Sequence, residues 1–300
     1  MGQSTSTAAL FFFICGTFAF IAGCDDKPTA IATTRPAPDV HTKIASLVPA
    51  ATDLILGMGA ADHLVAVSNY DPAEIDGRTL PRVGDYQGPA WEMIATLHPQ
   101  VMIIQMSPDR LPAGFTQKAE RLGIQLVNVR LNTVADVMEA IPQIGRAIGE
   151  PTKADALATR LSARLDAIRK KSAGLPPVKT LLTLNETGET LVGIGTFLDD
   201  LLTIAGGQNA AIPLGAAWPK ADSETLMDLK PDAVILLKPN AKPEALKAAQ
   251  SAWNRLPNIP AAKNRRIFLI HDPSVLLPGS HIADIAEEMF QDLHAGGTIP

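Results

Sequence analysis

The sequence predicts an α/β protein built as two related lobes joined by one long helix, and three observations carry that expectation. Two distant stretches read almost alike: W-E-M-I-A-T-L-H-P-Q-V-M-I-I from Trp91 and S-E-T-L-M-D-L-K-P-D-A-V-I-L-L from Ser223. They pair Glu92 with Glu224, Leu97 with Leu229 and Pro99 with Pro231 at one constant offset, as an internal repeat does. A second echo sets T-D-L-I-L-G-M-G from Thr52 against D-D-L-L-T-I-A-G-G from Asp199. Between the copies lies the longest helical signal in the chain, Lys153 to Lys171, with Leu157, Leu161, Leu165 and Ile168 on one stripe. Three hundred residues, 46% of them hydrophobic, suit two domains better than one.

The first elements do not belong to the fold. Ala8 to Ala22 is an uncharged, Phe-rich run too short for a comfortable membrane span, and it ends in Ile21-Ala22-Gly23-Cys24. That ending resembles a bacterial lipobox, which makes residues 1–23 a signal peptide and Cys24 the lipidated mature N-terminus. The Met1-Gly2 and Ser6 match to a myristoylation pattern is a decoy in front of such a cleavable run. Cys15 leaves with the signal, so Cys24 stands alone and neither a disulfide framework nor a cysteine metal site is expected. Bacterial lipoproteins carry at least two acyl chains on this cysteine, enough for stable membrane attachment. Residues 24–41, with their Pro, Thr and Ala, read as a lipidated tether. Every charged residue falls at Asp25 or later, so the net charge of -5 belongs to the mature protein, and nothing in it attracts nucleic acid.

Residues 42–150 form the expected N-terminal lobe, with apolar strand-like runs at Lys43 to Val48, Leu64 to Val67, Val101 to Gln105 and Gln125 to Val129. Residues 151–174 form the connecting helix: Pro151 suits its first turn, and Gly174, Pro176 and Pro177 end it. A rigid connector of this kind limits how far two lobes open. Residues 175–300 form the C-terminal lobe, with strand-like runs at Val178 to Leu184, Ala233 to Leu237 and Arg266 to Ile270.

Catalytic motifs are scarce. Gly193-Ile-Gly195 begins like a dinucleotide fingerprint, but Leu198 occupies the third glycine position; Gly57-Met-Gly59 fails likewise at Asp62. There is no P-loop, no G-x-S-x-G and no H-E-x-x-H. The histidines at 41, 63, 98, 271, 281 and 294 show no ligand spacing, so no metal site and no catalytic residue is predicted.

K-I-A-S-L-V-P-A-A-T-D-L-I-L-G-M-G, H-L-V-A-V-S-N-Y, L-P-R-V-G-D-Y-Q-G and the Glu92 repeat resemble the first lobe of substrate-binding proteins of ABC importers for cobalamin and ferric siderophores. A-W-P-K-A-D-S-E-T-L-M-D-L-K-P-D and P-G-S-H-I-A-D resemble the matching parts of the second lobe. The similarity runs from about Thr42 to Leu293 and is greatest to cobalamin binders, through Ser68-Asn69-Tyr70, Tyr86-Gln87-Gly88 and Trp218-Pro219. It implies a class III periplasmic binding protein, two Rossmann-like lobes with a corrinoid held in the cleft between them, and no enzyme activity. By this resemblance Ala50, Tyr70, Tyr86, Gln87, Trp218 and Asp272 approach the ligand; the aromatic rings suit a large flat macrocycle. Gln105 departs from the pattern, because cobalamin binders can carry an aromatic there.

The resemblance also gives the paired glutamates a role, one carboxylate on each lobe docking against arginines of the membrane permease. Glu92 and Glu224 hold those positions, although an acid in a first helical turn also gains roughly 0.3 to 1 kcal/mol from the helix dipole without a partner. The implied partners are the ABC permease with its ATPase, the small-molecule ligand and, through the lipid, the membrane; the chain is expected to be a monomer in the periplasm or at the cell surface. Ferric siderophore or heme is the alternative ligand, heme through Tyr70 or Tyr86 as axial ligand. A secreted enzyme on a related two-lobed scaffold is the alternative of another class.

Overall fold

The computed structural model describes residues 41–85, 88–107, 110–256 and 258–294. The expected signal peptide, Cys24 and nearly all of the tether lie outside the described residues, as do Tyr86 and Gln87.

Among the described residues, eight short strands form two four-stranded sheets, parallel throughout. In the first, β1 (Ile44–Ser46), β2 (Leu64–Ala66), β3 (Val101–Ile104) and β4 (Gln125–Asn128) take the order β2-β1-β3-β4. In the second, β5 (Val178–Thr183), β6 (Gly207–Asn209), β7 (Ala233–Leu237) and β8 (Ile267–Ile270) take the order β6-β5-β7-β8. The two orders are the same once β5 to β8 are laid over β1 to β4. The strand that the pattern missed is β6, whose Gly-Gln-Asn sequence offers no apolar run because it is a three-residue edge strand.

The sequence repeat is a structural one. Helix α1 (Pro49–Gly57) follows β1, and α2 (Trp91–Leu97) precedes β3; α3 (Phe115–Arg121) and α4 (Val134–Ile148) complete the first half. After α5 (Pro151–Ser172), α6 (Phe197–Ile204) follows β5, and α7 (Ser223–Leu229) precedes β7. Three further helices follow: α8 (Pro243–Trp253), α9 (Pro260–Lys263) and α10 (Ile282–His294). Both α2 and α7 end through a non-glycine residue in the left-handed region, His98 at φ 49° and Lys230 at φ 45°. Proline follows each, which stops the helix and turns the chain into the strand.

Strand alternation sorts the apolar side chains into layers. Val101 and Ile103 of β3 and Ala233, Ile235 and Leu237 of β7 enter one continuous core shared by both sheets. Met102 and Ile104 face a separate cluster under α2 and α3, while Val234 and Leu236 face another under α7, α8 and α9. Helix α5 runs for 22 residues, about 33 Å at 1.5 Å per residue, and buries Ala154, Leu157, Leu161, Leu165 and Ile168 in the shared core. The expected connector is therefore also a central packing element, seated against α4, α6 and α10. Its seam with α4 is tight: a Cβ on Gly145 would lie 2.2 Å from the Ala154 Cβ, so glycine is required there.

Two aspartates tie the halves together reciprocally, and they are the residues aligned by the second echo. Asp53 on α1 accepts hydrogen bonds from the Ser280 N–H at 2.5 Å and hydroxyl at 2.8 Å, just before α10. Asp200 on α6 accepts the Val134 N–H at the start of α4 at 2.8 Å. Burial raises the Asp200 carboxyl pKa, while the Val134 N–H works against that rise. Each half thus supplies a carboxylate for an otherwise unpaired N–H at or beside a helix start in the other.

One buried carboxylate lacks such support. Burial, with Glu288 one turn away, pushes the Asp292 carboxyl up to about 7, and one of its oxygens is buried without a hydrogen-bond partner among the described residues. The folded state therefore binds this proton more tightly than the unfolded chain, whose Asp titrates near 3.9. The stability it contributes is complete below that value and is lost as pH rises through about 7. Asp292→Asn should raise stability at pH 8 by roughly 1–3 kcal/mol and have little effect at pH 4, read by thermal melts across that range.

Candidate functional site

The carboxyl ends of the strands in both sheets open onto loops that carry Tyr70, Trp218 and Asp272, where open parallel sheets place their ligands. The largest cavity described there, about 1400 Å³, exceeds what drug-sized ligands need. Gln105, Met106 and Arg110 enter it from beyond β3, Asn128 and Arg130 from β4 and beyond it, and Trp218 from the second half. Asn128 holds the loop after β3 by accepting the Met106 N–H at 2.9 Å and donating to the Met106 carbonyl at 2.8 Å. Gln143 of α4 donates to the Asn128 carbonyl at 3.1 Å.

Trp218 stands 50% exposed over this cavity. Its loop is fixed by backbone pairing with the chain that returns after β5: the Gly193 N–H donates to the Ala217 carbonyl at 2.8 Å and the Leu191 N–H to Pro219 at 2.9 Å. A Cβ on Gly193 would lie 2.0 Å from the Ala216 carbonyl oxygen. The first glycine of the failed dinucleotide motif is thus there for close backbone approach.

Two arginines and two carboxylates line the large cavity. Arg130 meets Asp136 and Glu139, each at 3.5 Å, whereas Arg110 has no ion pair among the described residues. The remaining polar lining is mostly amide: Gln105, Asn128, Asn132 and Gln143. Such a surface offers donors and acceptors to a neutral polar ligand.

Tyr70 belongs to a second, smaller cavity of about 250 Å³, shared with Pro49, Pro72, Pro273 and Leu276. The phenol is 73% exposed on a well-supported loop. Asp71 accepts from the Ser68 N–H at 2.8 Å and hydroxyl at 2.7 Å, and Arg82 donates to the carbonyls of Ser68, Asp71 and Pro72. Asp272, beside Pro273, accepts the Ser274 N–H at 2.7 Å and the Ser274 hydroxyl. Burial works to raise the Asp272 carboxyl, but the two Ser274 hydrogen bonds prevail and hold it below its ordinary value. This aspartate organises its own turn. Ala50 does not stand at the rim: its methyl is 4% exposed in the shared core, because the first turn of α1 packs inward, while neighbouring Pro49 and Thr52 line the smaller cavity. Trp218 and Tyr70 therefore occupy different cavities, and Tyr86 and Gln87 fall outside the described residues.

Glu92 and Glu224 lie exposed in the first turns of α2 and α7, with no ion pair among the described residues. Neither caps its helix. Asp222 caps α7 by accepting from the Thr225 N–H at 2.8 Å, and α2 has no side-chain cap. Beside Glu92 lies a groove of about 740 Å³ between α2 and α3, where Lys118 sits 5.1 Å from the Trp91 ring centre. Sequence spacing also concealed one constellation: His41, His63 and Glu150 bring their ligand atoms within 4.8 Å of one another.

Comparison with known proteins adds a family to this geometry. A family model described as periplasmic binding protein matches residues 44–273. The vitamin B12-binding protein of Photorhabdus laumondii is 23% identical over 85% of this chain and 89% of its own length. YvrC of Bacillus subtilis, described as an uncharacterized ABC transporter substrate-binding lipoprotein, is 23% identical over 93% of this chain and 87% of its own. Among solved structures, the periplasmic vitamin B12 binding protein BtuF of Vibrio cholerae matches with a TM-score of 0.69 at 22% identity, covering 85% of this chain and 97% of its own. The periplasmic heme binding protein HutB of Vibrio cholerae matches with a TM-score of 0.72 at 26% identity, covering 84% and 99%. The family match takes in both parallel sheets and the helix between them, and the chain belongs to the periplasmic binding protein family.

Proposed function

We propose that this protein is the extracytoplasmic substrate-binding component of an ABC importer and that its ligand is a corrinoid of the cobalamin type. The coarser part follows from the family, whose members are binding proteins rather than enzymes and act with a permease and an ATPase on ligands such as B12 or heme. The finer part rests on one observation: the large cavity combines an exposed indole with four amide side chains and balanced charge. A corrinoid is a macrocycle with amides around its rim, so the ring suits Trp218 and the rim suits Gln105, Asn132 and Gln143. An anionic siderophore would need a surplus of cations, and two arginines offset by Asp136 and Glu139 supply none. Heme is the second reading, favoured by the exposed phenol of Tyr70 as an axial ligand.

In this reading residues 42–150 and 175–300 are the two lobes, residues 151–174 join them, Trp218 meets the ligand in the large cavity, and Tyr70 and Asp272, from beside the smaller cavity, complete the binding surface with Tyr86 and Gln87. Residues 1–23 direct export, and lipid on Cys24 holds a monomer to the membrane. Glu92 and Glu224 dock the permease. What supports docking is that both carboxylates are exposed, equivalent in the repeat and free of capping duty. Charges so placed act on recognition and register.

Titration of the purified protein with cobalamin, hemin and a ferric siderophore, followed by tryptophan fluorescence, should saturate with cobalamin near one equivalent. Trp218→Ala should weaken that binding at least tenfold, about 1.4 kcal/mol, without lowering the melting temperature. Saturation by hemin alone would replace the corrinoid with heme. The double change Glu92→Ala with Glu224→Ala should leave cobalamin affinity intact and abolish uptake into cells. Loss of affinity instead would make the glutamates structural.

A further inference from the structure

His41, His63 and Glu150 come from three separate parts of the chain. His41 precedes β1, His63 ends the short 3-10 turn at Ala61–His63, and Glu150 is the residue before α5. The imidazoles of His41 and His63 meet edge to face with centroids 4.8 Å apart. His63 is 4% exposed, and its two ring nitrogens face two groups that can only accept hydrogen bonds: Nδ1 lies 3.1 Å from the Thr42 carbonyl oxygen and Nε2 lies 3.2 Å from Glu150 Oε1. A neutral imidazole has one N–H to give. If the Thr42 carbonyl takes it, the Nε2 lone pair faces a carboxylate oxygen, and a cation shared between them, a proton or a metal ion, would satisfy both.

That pattern is how metal-binding histidines are held, one ring nitrogen donating to a backbone carbonyl and the other free to ligate. Ligands about 2.0–2.1 Å from a tetrahedral zinc lie roughly 3.3 Å from one another, close to the Nε2 to Oε1 separation here. The third donor is in reach, since all three ligand atoms lie within 4.8 Å of one another. Lys153 Nζ, at 2.9 Å, already shares Glu150 Oε1, but its side chain is 41% exposed and is able to turn to solvent when a metal takes its place. We propose that His41, His63 and Glu150 form a zinc-type divalent metal site with a fourth position open to water, clamping the point where the chain enters the fold to the start of α5.

The site lies apart from the residues lining the large cavity, so its test does not depend on the identity of the transported ligand. Purified protein, stripped with a chelator, would be titrated with zinc chloride by calorimetry and with cobalt chloride by visible absorption. The expected result is one equivalent of zinc bound, a higher melting temperature with zinc, and the intense visible bands of tetrahedral cobalt. His41→Ala and Glu150→Gln should each weaken zinc binding at least tenfold, and His281→Ala should not change it. His41 is only partly buried, so its variant keeps the test open even if a change at His63 fails to fold. Absence of stoichiometric zinc binding, or binding that His41→Ala and Glu150→Gln leave unchanged, would overturn the site and leave the His63 to Glu150 contact as a hydrogen bond alone.

Discussion

The arrangement depends on a core that belongs to neither sheet alone. Side chains from β3 and β7 enter the same apolar cluster, with α5 through its middle and α4, α6 and α10 around it. Apolar burial is non-directional, so by itself it would permit the two sheets to slide on that shared core. Asp53 and Asp200 remove this freedom. Each satisfies a backbone N–H at or just before the start of a helix in the opposite half, and a slip would strand both carboxylates and both donors. One repeated position supplies both ties, which relates duplication of the sequence to rigidity of the frame.

A fixed frame decides what the loops can do. Because the strands are held, the loops at their carboxyl ends keep the large cavity open, and Trp218 is presented by backbone pairs to residues 191 and 193 rather than by its own packing. Tyr70 is presented by a different device, the Ser68, Asp71 and Arg82 network. The outer faces have separate small cores under α2 and α7, leaving Glu92 and Glu224 exposed at equivalent places. The exposed glutamates thus stand in the first turns of the helices that precede β3 and β7, away from the residues that line the large cavity.

Much of the fold was legible because it is written in local patterns. The β-branched runs at Val101 and Ala233, the stripe of α5 and the His-Pro and Lys-Pro helix stops each carry a signal within a few residues. Strand β6 was not legible, since Gly-Gln-Asn is recruited by its neighbour β5 and not by its own propensity. The site was less so. Ala50 was placed at the rim on resemblance, while the inward turn of α1 buries it. Arg110, Asn132 and Gln143 gave no sign of lining the cavity with Trp218, because what unites them is the register of β3 and β4 with a loop in the other half of the chain. His41, His63 and Glu150 were hidden for the same reason: metal-ligand spacing is recognisable within a helix or turn, and here three elements each contribute one ligand.

The shared core and the two aspartate ties predict one frame whose halves keep a fixed distance from one another. Spin labels on cysteines placed at the exposed Met93 of α2 and Met227 of α7, with the chain's own cysteines replaced, report the distance between the halves by double electron-electron resonance. One narrow distribution, unchanged when cyanocobalamin saturates the protein, is the predicted result. Two populations in the free protein, or a displaced distribution on binding, would show hinged lobes and contradict it.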